Sequence, residues 1–470
     1  MTDFSTAIRK LLRLSLWGFI AVALWLSYWQ VIMAPRLQAD QYNSKRQELQ
    51  LLRIQPGKVS TADGVVILGR QQGQEGWEAT YPEGRDFAHL TGYNAASGVQ
   101  RGLRDALYGL DKFDEPWQDL LRGQPVGNNI TLTIDSKAQK VAMEELGARR
   151  GAVVALDPAT GAVLVMASAP SYDPVQVMSS PEEFNLFTYD PQVPELNRAV
   201  QGLYAPGSVF KLFTAAVALD LKLATPDTVF TCAGEERVAN AKMVCRLSGG
   251  HGRCNFDRGF YDSCNIVFAK LGEMIGVTNF IAYTKKFHLL DPADVALPSA
   301  TGRMYDFRGF KGEIAMVEAA FGQGASMFSP FHIARLTAAI ANHGHVLQPF
   351  LVRQVETPGK RVLMQGKAKD FGQAVSVAAA DEVAGMMVQV VEKGTGQVAA
   401  ISGVTVAGKT GSAQINKKPA NGWFTCFAPA EKPRAVVTVI IEGGESGSGS
   451  AAPVARRVLE QLLEDSGSRR

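Results

Sequence analysis

Charge is in short supply in this chain. Only 20% of its 470 residues are Asp, Glu, Lys or Arg, and the net charge is +3. With no long basic run, nothing provides the electrostatic footprint of a nucleic-acid binder. Cysteine is scarce too: five residues are too few for a disulfide scaffold, so an apolar core must carry the fold. Internal repeats are absent, and low complexity is confined to residues 443–449. What the chain has in quantity is hydrophobic sequence, 46% of it, enough for one large domain or two to three ordinary ones.

One stretch lacks charge altogether. From Leu14 to Ala34 Trp, Tyr, Leu, Ile, Val and Ala dominate, and the run is long enough to cross a bilayer as a helix. Arg9, Lys10 and Arg13 precede it, whereas only Arg36 follows closely. The positive-inside rule then puts residues 1–13 in the cytoplasm and everything after residue 35 outside. The competing reading, a cleaved signal peptide, requires a shorter apolar region and a small-residue cleavage site. Both readings place the bulk of the chain outside the cytoplasm.

Residues 36–145 read as a membrane-proximal module. Ile54 to Ile67 suggests strand, turn at Ala62-Asp63-Gly64, and strand. Ile130 to Ile134 suggests a further strand, followed by a helix capped by Asp135 or Ser136 and running to about Leu146. No reactive constellation appears here, which suits a pedestal. A second domain is expected over residues 150–465. It begins with two apolar strands, 152–156 and 162–167, joined through Asp157-Pro-Ala-Thr-Gly161. A Cys- and Gly-containing loop is expected at 231–254, a helical pair around 256–275, an amphipathic stretch at 314–342 and a helix at 380–392. Strands at 404–409, 422–427 and 435–441 precede a last helix at 452–463. Strands at both ends with helices between them predict an α+β domain whose sheet joins its first and last segments.

Ala205-Pro-Gly-Ser-Val-Phe-Lys to Leu219 is the stretch that organises the rest. From Ser208 onward it reads as a helix apolar on nearly every face, broken by Ser208 and Lys211 three residues apart on one side. Burial drives a lysine towards its neutral amine, and a neutral amine beside a hydroxyl is a base beside a nucleophile. Alone, the pair is equally compatible with a capping serine and a snorkelling lysine. Two more motifs follow in order: Ser263-Cys264-Asn265 between helical stretches, and Lys409-Thr410-Gly411-Ser412 ending a strand.

The three motifs, Ser-x-x-Lys, Ser-x-Asn and Lys-Thr-Gly, resemble those of the penicillin-binding proteins, the serine D,D-transpeptidases. So do the flanks Leu196 to Pro206, Phe321-Gly-Gln-Gly324, Gly394-Thr-Gly396, Ala413-Gln414, Gly422 to Pro429 and Ala451-Ala-Pro453. The likeness covers about residues 130–463. Tyr81-Pro82, Gly92-Tyr93 and the 98–109 stretch resemble the pedestal of the monofunctional class B members, with Pro56-Gly-Lys-Val59 where that class carries Arg-Gly-x-Ile. No segment resembles a glycosyltransferase. The resemblance implies an antiparallel sheet flanked by helices, shared with serine β-lactamases, on a smaller β-containing pedestal. It makes Ser208 the nucleophile and Lys211 its base. Ser263 relays a proton and Asn265 binds the substrate peptide. Lys409 adds positive charge, Thr410 and Ser412 bind the terminal carboxylate, and Gly411 lets substrate lie close. The backbone N–H groups of Ser208 and Ser412 form the oxyanion hole. The substrate implied is a peptidoglycan stem peptide ending in D-Ala-D-Ala, with β-lactams as covalent inhibitors, a polytopic membrane glycosyltransferase as partner, and neither metal nor organic cofactor required.

Rival readings exist. A serine β-lactamase or β-lactam sensor shares the motifs, and an inert wall-synthesis scaffold is the non-enzymatic alternative. Gly403 to Thr410 also fits the phosphate-loop pattern Gly-x4-Gly-Lys-Thr, but Val404-Thr-Val-Ala407 is strand-like where a phosphate loop opens a helix. Cys232 and Cys245 flank an expected hairpin; an oxidising compartment would permit them to pair, but sequence does not establish the distance between them. Cys245, His251 and Cys254 raise the question of zinc, but neither their spacing nor a fourth ligand supports it. Cys264 reads as packing, and His343-Gly-His345 as a helix-end loop.

Overall fold

The computed structural model describes residues 2–33, 54–73, 76–110, 126–239, 241–304, 307, 310–413 and 419–467. Residue 34 of the expected membrane span, 36–53 and 111–125 of the membrane-proximal module, and 416–418 of the turn after the Lys-Thr-Gly strand lie outside them. Two compact units are present. The smaller contains the helix Thr2–Ser27, which continues as a π-helical turn over Tyr28–Met33. Within it, Ile8–Val31 is long and apolar enough to cross a membrane, and Leu14, Trp17, Phe19 and Leu24 are exposed, as lipid-facing side chains are. Helix Asn265–Lys286 passes the same test of length and composition, but half of it is buried in protein and serves the core.

The larger unit is built on a five-stranded antiparallel sheet in the order Ala407–Ala413, Asn421–Ala428, Ala435–Ile441, Gly151–Leu156, Val163–Ala169. First and last segments meet in it, as their apolar patterns predict. Side chains alternate between its faces. Val153, Ala155, Val437 and Val439 pack with Ala138, Ala142, Val454 and Leu459 of helices Ser136–Leu146 and Ala452–Gly467. Ala152, Val154, Val436 and Ile440 belong to the opposite core with Leu212, Phe213, Ile333 and Leu336. Because both faces are covered, the central strands are apolar on both faces rather than at every second position, broken by Thr425 and Thr438, whose buried hydroxyls pair at 2.7 Å. Each Val, Leu or Ile so buried contributes roughly 1.5–3 kcal/mol. Among the described residues, Ala407–Ala413 lies at the edge and pairs with Asn421–Ala428 only.

A second, mixed sheet runs Val362–Gln365, Val352–Glu356, Asn129–Leu132, Val59–Ser60, Val66–Gln72. The turn at Ala62-Asp63-Gly64 joins its last two strands, and Asp135 caps Ser136–Leu146 by accepting from Ala138 N–H. Two expectations are corrected. Residues 231–254 are no loop: Val229–Cys232 pairs with Gly252–Asn255 and Glu235–Val238 with Ala241–Val244. Four-residue strands separated by glycine turns give too little alternation to stand out. The 314–342 stretch is two helices, Phe310–Ala320 and Pro330–Ala341, the second opened by the Ser329 cap and Pro330.

Candidate active site

Ser208 sits in a single 3-10 turn, Gly207–Phe210, that leads into helix Lys211–Asp220. The turn closes with Lys211 N–H donating to the Ser208 and Val209 carbonyls. Gly207 is required here twice over. Its φ is +58°, and a Cβ on it would stand 2.8 Å from the Ser412 carbonyl oxygen. Gly411 faces the turn in the same way, since a Cβ there would meet Val209 N at 3.0 Å. The turn bearing Ser208 therefore lies directly against the edge strand that carries Lys409-Thr-Gly-Ser. Gly207 N–H also donates to Gly322 O at 2.9 Å, tying in the Phe321–Gly324 loop. Phe210 stacks on Phe213 and Phe328, so the helix start has no room to shift.

Lys211 is fully buried. Its Nζ donates to Ser263 O at 2.7 Å, Ser263 Oγ at 3.2 Å and Asn265 Oδ1 at 2.8 Å. Asn265 opens its helix, and its Nδ2 donates to Val244 O at 3.3 Å, which fixes its amide with the oxygen towards the lysine. Lys409, also fully buried, approaches from the other side: Nζ donates to Ser263 Oγ at 3.0 Å and to Thr410 O at 3.2 Å. Two lysines thus converge on one hydroxyl.

Ser263 reaches that point through an unusual backbone. Helix Phe256–Tyr261 ends with Ser263 N–H on Phe260 O and Cys264 N–H on Gly259 O, the paired bonds of a Schellman motif. Its left-handed position is normally glycine, yet Ser263 occupies it at φ +62°. Holding a serine there costs on the order of 1 kcal/mol, strain of the kind that accumulates where chemistry is done.

Burial pushes the Lys211 ammonium down to about 7, with Cys264 and Cys245 pulling it back up and Arg246 adding to the fall. Burial, then repulsion from Lys211 and Arg246, holds Lys409 well below its ordinary range. Sharing one acceptor, the two amines disfavour the doubly charged state. A neutral amine is therefore available to take a proton, next to a second group able to carry the charge.

Thr410, nearly buried, pairs its hydroxyl with Thr395 Oγ1 at 2.6 Å. Ser412 is exposed, with its carbonyl 3.4 Å from Gln323 Nε2. Sequence reasoning gave Thr395 and Gln323 no role; the Gly394-Thr-Gly396 and Phe321-Gly-Gln-Gly324 flanks were the only signal for them. The phosphate-loop alternative fails on geometry: Lys409-Thr410 is mid-strand, with Lys409 turned inward to Ser263.

A family model for the penicillin-binding protein transpeptidase domain matches residues 151–460. The chain belongs to the penicillin-binding protein transpeptidases. This penicillin-binding protein is 31% identical to the peptidoglycan D,D-transpeptidase PbpA of Mycolicibacterium smegmatis, over 93% of this chain and 94% of that one. The D,D-transpeptidase domain of a peptidoglycan glycosyltransferase from Eggerthella lenta superposes with a TM-score of 0.80 at 33% identity, covering 88% of this chain and all of that one. The imipenem acyl-enzyme of penicillin-binding protein A from M. tuberculosis gives 0.81 at 28% identity, with 88% of this chain and 100% of that one covered.

The cysteines correct the sequence reading. All five are free and buried, so Cys232 and Cys245 do not pair. The fourth ligand that seemed missing is present, and Cys254 is not in the set: Cys232, Cys245, His251 and Cys264 gather with all four ligand atoms within 4.8 Å of one another. By contrast His343 and His345 contact Asp381 and Asp370 separately, as in a helix-end loop.

Proposed function

We propose that this class B penicillin-binding protein is a peptidoglycan D,D-transpeptidase that cross-links stem peptides through an acyl-serine intermediate and is acylated by β-lactams. Ser208 Oγ attacks the carbonyl of the penultimate D-Ala. Lys211, neutral through burial, takes the hydroxyl proton. Ser263, bonded to both lysines, passes a proton to the departing D-Ala amine; in the second step it takes a proton from the attacking acceptor amine, which returns through Lys211 to Ser208 as the acyl bond breaks. The backbone N–H groups of Ser208 and Ser412 bind the oxyanion, and Asn265 binds the donor peptide. Lys409, Thr410 and Ser412 receive the terminal carboxylate. Gly411, on an edge strand with an open side, lets the donor lie extended against it.

The observation that carries this reading is the Ser263 hydroxyl held by Lys211 on one side and Lys409 on the other, beside the turn bearing Ser208. The apolar helix with Arg9, Lys10 and Arg13 at its start supports an N-terminal anchor in the plasma membrane, N-terminus cytoplasmic and catalytic domain outside. Residues 36–145 then serve as a pedestal that docks a polytopic glycosyltransferase, and residues 150–465 as the transpeptidase domain. Fluorescent penicillin is expected to label the wild type covalently and Ser208→Ala not at all. Undiminished labelling of that variant overturns the assignment.

A further inference from the structure

Beside the nucleophile's neighbours lies a group of side chains that the acyl-transfer chemistry does not use. Cys232 ends the strand Val229–Cys232, Cys245 and His251 follow the Ala241–Val244 strand, and Cys264 stands between Ser263 and Asn265. The three thiols are buried and unpaired, and His251 is part-exposed at their rim. A zinc ion with Zn–S of about 2.3 Å and Zn–N of about 2.05 Å in a tetrahedron sets S···S near 3.8 Å and S···N near 3.6 Å. Here Cys245 Sγ and Cys264 Sγ are 3.9 Å apart, and Cys245 Sγ and His251 Nδ1 3.3 Å. The remaining separations fall within 4.8 Å. An S–S bond needs about 2.05 Å, so these sulfurs are arranged around a common centre rather than towards one another.

The geometry points to a structural zinc site, Cys232-Cys245-His251-Cys264. Four protein ligands close the coordination sphere, which suits a metal that holds parts together rather than one that activates water. Three thiolates and an imidazole select zinc over the hard cations. On binding, the three thiols release their protons to solvent and the imidazole ligates as the neutral base.

The position of Cys264 gives the site its purpose, and this part rests on the transpeptidase reading. The metal fastens the paired strands of 229–255 to the backbone between Ser263 and Asn265. Those strands already touch the site where Val244 O accepts from Asn265 Nδ2. Ser263 is held in a left-handed conformation that a serine does not favour, and anchoring the next residue resists its relaxation. The ligands are positioning residues.

The test is metal analysis of the full chain, purified in detergent without chelator. About one zinc per chain is expected, and Co2+ replacement should give the thiolate-to-cobalt charge-transfer and intense d–d bands of a tetrahedral site. Cys232→Ser with Cys245→Ser should cut zinc at least tenfold, while Cys254→Ser, outside the cluster, should leave it unchanged. If the double variant does not fold, wild type stripped with a strong chelator takes its place. Stripping should slow fluorescent-penicillin labelling at least tenfold, and added Zn2+ should restore it. Less than about a tenth of a zinc per chain with no Co2+ uptake overturns the site. Full zinc with labelling indifferent to its removal overturns the positioning role. Protein that binds zinc but never labels with penicillin keeps the site and fails the transpeptidase reading instead.

Discussion

Lys211 holds Ser263 by two atoms at once, donating to its carbonyl at 2.7 Å and its hydroxyl at 3.2 Å. Backbone and side chain of Ser263 are thus held by the same amine that the proposed mechanism makes the base for Ser208, and Ser263 cannot shift without Lys211 registering it.

That coupling gives acylation a pH dependence. Lys211 titrates at about 7, far below an ordinary lysine, chiefly because it is buried. It accepts a proton only when neutral, so penicillin acylation should rise through a midpoint near pH 7 and level off above it. Below the midpoint the rate should fall about tenfold per pH unit. Stopped-flow acylation from pH 5.5 to 9 measures this; a flat profile rules out Lys211 as the base.

Ser263→Gly separates stability from chemistry. Glycine relieves the left-handed backbone of the Schellman position, so denaturation should show a gain of about 1 kcal/mol or slightly less. Acylation should nonetheless fall by two or more orders of magnitude, because the hydroxyl between Lys211 and Lys409 is gone. A variant both less stable and fully active contradicts both halves.

At Gly207 the two effects point the same way. Alanine would be forced to φ +58° and set against the Ser412 carbonyl. A stability loss of about 1–2 kcal/mol is expected. Acylation should fall further than that loss explains, since the turn carrying Ser208 must back away from the edge strand. Comparing urea midpoints with labelling rates at saturating penicillin checks it.

Acid lability should come from His332, a histidine that takes no part in the proposed chemistry. His332 Nε2–H donates to Asp291 O at 2.9 Å, while its Nδ1 accepts from the Ser329 N–H at 3.1 Å. Burial, then Arg335, depresses its pKa to about 3 from an ordinary 6.5. Protons therefore favour the unfolded chain: the contribution is complete above pH 6.5 and drains away as pH falls towards 3. The loss is on the order of 1 kcal/mol per pH unit in that window. Urea midpoints at pH 7 and pH 5 should differ accordingly, and His332→Asn should be less stable at pH 7 but less acid-sensitive.

Much of this site was legible because its chemistry is written in short motifs whose residue types are costly to bury without a reason. Lys211 interrupts an otherwise apolar helix, and the structure surrounds it with acceptors rather than letting it snorkel. The sheet was legible for a related reason: strands covered on both faces read as nearly continuous apolar runs. The Lys409 strand was placed too early, at 404–409, whereas it runs Ala407–Ala413. Its Thr-Gly-Ser half lacks the β-branched, apolar character that marks a strand. Ser263's left-handed backbone left no trace in sequence, because nothing local forbids a serine from being ordinary. In sequence Cys232 reads only as a partner for Cys245, and its place in the cluster stays hidden for the opposite reason. Its place beside Cys264 depends on the pairing of Val229–Cys232 with Gly252–Asn255, a tertiary decision that no local pattern encodes.

The order of strands in the five-stranded sheet has a bearing on how the enzyme comes into being. Ala435–Ile441 is the central strand, with Gly151–Leu156 on one flank and Asn421–Ala428 on the other. Everything that carries Lys409 hangs from the rest of the sheet through that late segment. A nascent chain halted before residue 435 owns Ser208, Lys211 and Ser263 but has nowhere to dock the strand that completes them. Reactivity towards penicillin should switch on in one step, only once the chain has been made through the strand Ala435–Ile441.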